Sequence, residues 1–253
     1  MEFSLPLMFV LSLLFFVVAF LYSSVGHGGA SGYLAALSLF AFAPGEMATT
    51  ALLLNVLVGG ISFYSFYREG FFSLRLTLPF LLSSVPFALL GGAIHASSWV
   101  YALLLSAALL FAAGRLFLRA SQFSGNSYVV KPPAYLVALP IGGAIGLISG
   151  IVGVGGGIFL SPIILLMKWS DPKHTSATAA CFIVINSIAG LAGRQISGTI
   201  SFGNLLPFLI AAGAGGIIGS WWGSKRFSNL LLQRLLGVVL LIAAAKLIIT
   251  LTH

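Results

Sequence analysis

The sequence contains very few acidic residues. Of its 253 residues only four are acidic, and charged residues make up 6% of the chain. Soluble domains keep about a quarter of their residues charged, so this composition excludes a chain that faces water on all sides. The acidic residues Glu2, Glu46, Glu69 and Asp171 fall near the ends of apolar runs or between them. Carriers of cations or protons usually keep a carboxylate within the membrane, so we do not expect a cation as substrate.

The sequence also has only one cysteine, Cys181, inside an apolar run. A single cysteine excludes an internal disulfide and a thiolate metal site. The sequence contains no nucleophile–histidine–acid set, phosphate-binding lysine loop or dinucleotide fingerprint, so it predicts neither an enzyme nor a bound cofactor. The net charge of +8 could suit a nucleic-acid partner. Because the basic residues lie mostly between apolar runs, we read them instead as the orientation signal of a membrane protein.

Apolar residues, in contrast, make up 59% of the chain, and the mean hydropathy is +1.12. Several runs are long enough to cross about 30 Å of hydrocarbon as helices, which predicts an all-α, multi-pass membrane protein. The apolar segments cover residues 5–22, 31–42, 48–66, 76–94, 99–118, 134–150, 158–169, 175–193, 202–222 and 230–250. Five segments on each side of a polar stretch predict two membrane repeats, residues 1–118 and 134–253, joined by a cytoplasmic linker of residues 119–133.

The two halves of the chain repeat each other. Val25–Ala30 (VGHGGA) returns 127 residues later as Val152–Gly157 (VGVGGG), and each copy precedes a short apolar segment. Other pairs share an offset of 128 residues: Pro44 with Pro172, Gly70 with Gly198, Ser73 with Ser201, Pro79 with Pro207, and Gly91 with Gly219. Proline and glycine positions shared at constant spacing indicate an internal duplication.

The basic residues indicate that the repeats are inverted. If each half crosses the membrane an odd number of times, ten basic residues fall on one side and only Arg194 and Lys246 on the other. The positive-inside rule then makes the richer side cytoplasmic and places both termini outside the cell. Segments 31–42 and 158–169 would reach only about 18 Å as helices, and paired short segments in inverted repeats point to a transporter's central site. Whether they span the membrane or re-enter stays open.

The two glycine loops are the predicted site for an anion. Glycine allows positive φ and a close approach to the main chain, and the helix start that follows offers N–H groups and a positive dipole end. His27 could donate to the anion or carry a proton, or simply bond a nearby carbonyl. The alternative for the glycines is close helix packing alone. The predicted loop ligands are Gly26, His27, Gly28, Gly29, Gly153, Gly155, Gly156 and Gly157.

Four further polar residues are candidates for lining the same site. Asn55 and Asn186 are unusual at membrane depth and should face the interior of the bundle, and Thr178 precedes Asn186 in the same segment. For all three, interhelical hydrogen bonding is the alternative. Arg194 ends that segment on the side poor in basic residues, where it could attract an anion at the outer mouth or snorkel to the membrane surface.

Three stretches of the chain carry a resemblance to a known family. Ser149–Gly157 (SGIVGVGGG), Phe159–Pro162 (FLSP) and His174–Thr178 (HTSAT) resemble the sulfite exporter TauE/SafE family of membrane transporters. The resemblance spans the whole chain, and the duplicated loop at Val25–Ala30 fits the same pattern. It implies transport of small sulfur-containing anions, such as sulfite or organosulfonates, across the cytoplasmic membrane.

These features predict a secondary transporter that exports a small anion by alternating access around a site near the middle of the cell membrane. The cytoplasm is electrically negative, so moving one negative charge outward gains about 2.3 kcal/mol per 100 mV and needs no coupling ion. A proton-coupled importer and an anion channel are alternatives, and an intramembrane structural subunit or enzyme is a more distant one. The expected partners are the anion and the lipid bilayer, and whether the chain forms a homo-oligomer stays open.

Overall fold

The computed structural model describes residues 5–40, 42–118, 130–198, 205–225 and, except for 243 and 247, 241–249. The regular structure in these ranges is α-helical throughout. The helices are α1 (Leu5–Ser23), α2 (Ala30–Leu39), α3 (Pro44–Arg68), α4 (Leu74–Ala93), α5 (Ser98–Leu118), α6 (Tyr135–Val152), α7 (Gly157–Leu166), α8 (Pro172–Ile196) and α9 (Leu206–Lys225). Six of them, α1, α3, α4, α6, α8 and α9, are long and apolar enough to cross a membrane. The predicted all-α, multi-pass membrane fold is confirmed.

The polar linker and the last predicted segment are described only in part. Residues 119–129 of the linker lie outside the described residues, as do Ser201 and most of segment 230–250. Where the chain is described again, the backbone N–H of Lys131 donates to Trp169 O at 2.8 Å, which joins the linker's end to the turn before α8. The boundaries of the two repeats therefore stay a prediction.

Glycines bring several pairs of helices into backbone contact, among them α9 with α1 and α6 with α4. On α9 and α1 the contacts join Gly215 to Phe16 O, Gly219 to Phe20 O and Gly223 to Ser24 O. On α6 and α4 they join Gly142 to Phe80 O, Gly146 to Ser84 O and Gly150 to Ala88 O. Residue numbers rise together in both pairs, so each pair is parallel. Small residues that permit such an approach are typical of helix contacts in membranes.

The other contacts show that the repeats are inverted. Asn55 of α3 contacts Ser187 of α8 while Gly59 contacts Ile183, so α3 and α8 run antiparallel. The pairs α3–α9 and α4–α8 are parallel, through Leu57 with Gly213, Ser65 with Ser220, Thr77 with Thr178, and Leu89 with Gly193. Helices α1, α3 and α9 therefore point one way, and α4, α6 and α8 point the other. Since α1, α3 and α4 correspond to α6, α8 and α9 in the duplication, equivalent helices are opposed, as predicted.

The two short helices are half-helices. Both α2 and α7 have ten residues, which makes each about 15 Å long, roughly half the hydrocarbon thickness. Because α1 and α3 run in the same direction, α2 must return between them, and α7 returns between α6 and α8 in the same way. A full crossing and a re-entrant hairpin would both give this course, so whether these segments span or re-enter stays open.

The charged side chains lie mostly at one end of the bundle, where α3 ends and α4 and α8 begin. This basic end holds Arg68, Arg75, Lys131, Lys168 and Lys173. Arg194 and Lys246 lie toward the opposite end, where Lys246 Nζ donates to the carbonyl groups that end α2. The side chains of Arg115, Arg119, Lys225, Arg226 and Arg234 lie outside the described part of the chain. The described residues thus keep the charge asymmetry between the two ends.

Candidate functional site

Each glycine loop packs against a long helix of the other repeat. Gly26 lies against Ser176 of α8, and Gly153 lies against Ala48 of α3. Ser176 and Ala48 are themselves equivalent, 128 residues apart, so the two contacts are related by the internal symmetry. Residues 26–30 and 152–158 are all buried, so in this structure protein encloses both loops.

Each short helix begins immediately after a glycine with positive φ. Gly29 has φ 98° before α2, and Gly156 has φ 81° before α7, a conformation that residues with a Cβ rarely adopt. The start of α2 bonds to Asn55, near the middle of the 25-residue α3, and Gly157 contacts Ile183, near the middle of the 25-residue α8. Both half-helices therefore begin at the central level of the bundle, with their first N–H groups and positive dipole ends there.

Asn55 joins the two loops through its side-chain amide. Its Oδ1 accepts a hydrogen bond of 3.2 Å from the N–H of Ala30, the first residue of α2. Its Nδ2 donates to Val154 O at 3.1 Å and to Ser187 Oγ at 3.3 Å. Asn55 is fully buried, so these bonds are made out of contact with solvent. The predicted interior position of Asn55 is confirmed, and its partners come from both repeats.

The amide of Asn55 also limits what the neighbouring loop positions can hold. A Cβ added at Gly28 would overlap Asn55 Oδ1, and one added at Gly155 would overlap Asn55 Nδ2. Gly155 in addition has φ 79°. Close packing of the glycines, which the sequence left as an alternative to ligand binding, is therefore present in the fold at both loops.

His27 reaches from the first loop to the half-helix of the other repeat. Its Nδ1 lies 2.9 Å from Val25 O and must carry the hydrogen, because a carbonyl oxygen only accepts. Its Nε2 lies 3.0 Å from Ser161 Oγ on α7, and that hydroxyl is also 2.9 Å from Gly157 O. Ser176 Oγ donates to the same Val25 carbonyl at 2.9 Å. Both ring nitrogens of His27 are thus engaged, one within its loop and one across the repeats.

Thr178 and Asn186, two of the predicted site residues, bond to helices rather than to the loops. Thr178 Oγ1 lies 3.2 Å from Thr77 Oγ1, across the contact of α8 with α4. Asn186 Nδ2 donates at 2.9 Å to Phe182 O in its own helix, and its buried Oδ1 has no hydrogen-bond partner within the described chain. The interhelical alternative therefore describes Thr178, and Asn186 is tied to its own backbone.

Arg194 caps the end of α6 instead of extending to the membrane surface. Its Nη2 donates to Gly150 O at 3.2 Å and to Ile151 O at 2.7 Å, and only 6% of the residue is exposed. Tyr101 donates to the next carbonyl, Val152 O, at 3.2 Å. A cation at a helix C-terminus satisfies carbonyls that lack helical partners and favours the helix dipole. Arg194 thereby holds the end of α6 from which the second loop starts.

Ser161, Ser187 and Tyr33 complete the surroundings of the loops, and the sequence reading did not select them. The two serines lie more than 130 residues from their partners His27 and Asn55, so nothing local indicates these bonds, although Ser161 belongs to the Phe159–Pro162 stretch. Tyr33 had a local signal, because helical side chains lean toward the N-terminus and Tyr33 follows Gly29 by four residues. Its hydroxyl lies 2.9 Å from the position a Cβ on Gly29 would take.

The acidic side chains that the structure describes lie away from this central level. Glu46 is in the first turn of α3, Glu69 follows its last residue, and Asp171 caps the start of α8. The loops therefore meet where two helix N-termini converge without a carboxylate from the described residues beside them. Such an electrostatic setting favours an anion over a cation.

The chain is similar to proteins that are named as probable membrane transporters. The family model described as "Sulfite exporter TauE/SafE" matches residues 11–247. The "Probable membrane transporter protein y4hK" of Sinorhizobium fredii is 38% identical over 240 residues, which cover 94% of this chain and 97% of that protein. The "Probable membrane transporter protein YdhB" of Bacillus subtilis is 26% identical over 234 residues, covering 87% and 89% respectively. No solved structure matches the chain.

Proposed function

The chain belongs to the sulfite exporter TauE/SafE family of membrane proteins, and from this premise we propose that it exports a small sulfur-containing anion, such as sulfite or an organosulfonate, across the cytoplasmic membrane. The coarser role, a membrane transporter, is also the role that its relatives' names state. One observation supports the proposal that the substrate is an anion. Two half-helices from inverted repeats begin at the same central level, with their N–H groups and positive dipole ends directed there and the described carboxylates elsewhere.

The inverted repeats support a mechanism of alternating access. Both glycine loops are buried, so an anion reaches them only after helices part toward one side of the membrane. In an inverted duplication the two repeats can exchange conformations. This exchange closes the path from the site to one side of the membrane and opens the path to the other side. The end that holds Arg68, Arg75 and Lys173 is the proposed cytoplasmic end, by the positive-inside rule.

Proteoliposomes loaded with sulfite test the proposal. An imposed potential of 100 mV, negative inside, favours the exit of each negative charge by about 2.3 kcal/mol, so it should accelerate sulfite efflux. Reversing the potential should slow efflux or drive uptake, and vesicles without protein give the background. Sulfite flux that is unaffected by the imposed potential would overturn electrogenic export, and protein that moves neither sulfite nor sulfoacetate would overturn the substrate class.

A proton-coupled importer is the second candidate, and the contacts of His27 favour it. His27 is the one titratable side chain of the two loops, and its Nε2 faces a hydroxyl of the other repeat. A proton carried on this ring would sit at the contact between the repeats, where it could move together with an anion. The two candidates differ in what drives flux: a membrane potential for the exporter, a pH gradient for the importer.

A further inference from the structure

The amide oxygen of Asn55 already occupies an acceptor position at the start of α2. Asn55 Oδ1 takes the hydrogen bond of the Ala30 N–H, one of the groups that a helix leaves unpaired at its N-terminus. An oxygen of an anion bound at the same N-terminus would need that N–H as well. The side chain of Asn55 and the substrate therefore compete for one donor.

The same amide holds the second loop. Through Nδ2, Asn55 bonds Val154 O in that loop and Ser187 Oγ on α8, both in the other repeat. The amide is planar, so Oδ1 and Nδ2 cannot turn independently. When Oδ1 leaves Ala30, the geometry of both Nδ2 bonds changes with it. Occupation of the α2 N-terminus is thus linked mechanically to the bond between the repeats.

The position equivalent to Asn55 in the other repeat has no side-chain amide. Ile183 lies 128 residues after Asn55 and packs against Gly157 at the start of α7, as Asn55 packs against Gly28 before α2. Isoleucine neither accepts nor donates a hydrogen bond, so it cannot occupy a donor of α7. The link between anion binding and repeat contact is therefore confined to the first loop.

A second, independent feature marks the start of α2 as a place for a ligand. Tyr33 is fully buried, and its hydroxyl lies against Gly29, the residue that precedes the helix. Within the described residues this hydroxyl has no hydrogen-bond partner. A buried hydroxyl without a partner is costly, and an acceptor brought to this helix start would satisfy it.

We propose that Asn55 is a latch: its amide competes with the substrate anion for the N-terminus of α2, and the anion releases the bond between the repeats by displacing it. This inference rests on the proposed function. It makes Asn55 a positioning residue whose loss frees the site, in contrast to a substrate ligand, whose loss weakens binding. The two roles predict opposite changes in affinity for the anion when Asn55 is replaced.

The experiment measures the Kd for sulfite and for sulfoacetate on purified protein by calorimetry, with a melting curve for each variant. Asn55→Ala removes the competitor, so we expect anion binding about threefold to tenfold tighter, the fold-change that one net hydrogen bond represents. Asn55→Asp leaves a tethered carboxylate on the Ala30 N–H, so we expect binding at least about tenfold weaker with the melting transition retained. The matched control is Ser65→Ala, which removes a 3.0 Å hydrogen bond between α3 and α9 away from the loops and should leave Kd unchanged.

Each possible result of the binding measurements either supports or overturns the proposed role of Asn55. Weaker binding in Asn55→Ala, or no change, would overturn the latch while the proposed function stands, because the wild-type protein still binds the anion. Absence of anion binding in folded wild-type protein would overturn the proposed function and the latch together. If Asn55→Asp does not fold, the sign of the change in Asn55→Ala alone decides between competitor and ligand.

Discussion

At the scale of single residues, the hydrogen bonds of His27 accommodate both of its protonation states. In the neutral ring Nδ1 keeps its hydrogen for Val25 O, and Ser161 must turn its hydroxyl proton toward Nε2. In the protonated ring Nε2 donates to Ser161 Oγ, which is then free to donate to Gly157 O. Neither state leaves a ring nitrogen without a partner, so a proton can be taken up without rearranging the loop.

Replacing His27 tests whether that proton is coupled to transport. We expect anion flux in wild-type proteoliposomes to change across the pH range in which histidines titrate, and the change to disappear in His27→Gln. Flux assays with equal pH on both sides of the membrane, repeated at a series of pH values, measure this. The control is His95→Gln, because His95 is an exposed histidine between α4 and α5. Accumulation driven by a pH gradient alone, abolished in His27→Gln, would favour the importer. A pH profile that persists in His27→Gln would contradict a role for this ring.

The sequence predicted which residue types lie at the centre better than it predicted their partners. Asn55 is recognisable as an interior residue because an amide is costly in hydrocarbon. Its partner Val154 lies 99 residues away, and nothing local to either residue indicates the bond. Arg194 shows the same limit: its position suggested an outer mouth or the membrane surface, and it did not indicate that the guanidinium caps α6. The approach of α8 to the end of α6, which no sequence pattern encodes, decides that role.

At the scale of helices, the turn into each half-helix is the most constrained element. Gly156 has φ 81°, and an added Cβ would lie 2.7 Å from atoms of both Ile145 and Phe182. We expect Gly156→Ala to cost about 1–3 kcal/mol of stability and to reduce anion flux severely, because it displaces the N-terminus of α7. Melting curves and flux in proteoliposomes measure the two effects.

Gly60 supplies the matched control for that substitution. It lies in α3, and a Cβ added there meets nothing within 4 Å. Gly60→Ala should therefore keep flux and slightly raise helix stability. Equal loss of flux in the two variants would contradict a special role for the loop, and so would full flux in a stably folded Gly156→Ala.

The lengths of the half-helices were predictable, but the contacts that fix their direction were not. Both were expected to be too short to span, since about a dozen residues reach only about 18 Å as a helix. Predicted segment 158–169 ends three residues later than α7, because Lys168 adopts φ 55° and the chain already turns at that point. The direction of α2 is fixed by the parallel course of α1 and α3. That course depends on contacts such as Gly219 with Phe20, between residues in opposite halves of the sequence.

At the scale of the whole molecule, the internal symmetry is broken at the centre. Asn55 faces the first helix start while its equivalent Ile183 faces the second, and His27 in the first loop corresponds to Val154 in the other. A perfectly symmetric pair of repeats would respond alike from both sides of the membrane. Polar links confined to the first loop give the two opposite conformations different energies, so the anion should bind with different apparent affinity from the two sides of the membrane, while its electrochemical gradient still sets the net direction.

The orientation of the molecule can be tested from its two ends. Glu69 and His95 are exposed and lie at opposite ends of α4, Glu69 at the basic end. In a background where buried Cys181 is replaced by alanine, we expect a membrane-impermeant maleimide to label His95→Cys on intact cells. Glu69→Cys should react only after the membrane is permeabilised, because the positive-inside rule places the basic end in the cytoplasm.

The reverse pattern would also bear on the direction of transport. If Glu69→Cys reacts on intact cells and His95→Cys does not, the basic end is outside the cell. The orientation of the whole molecule relative to the membrane potential is then reversed. Labelling of both positions on intact cells would contradict the single crossing between them that α4 provides. Because the two cysteines differ by the single span of α4, this pair tests one crossing and its orientation at the same time.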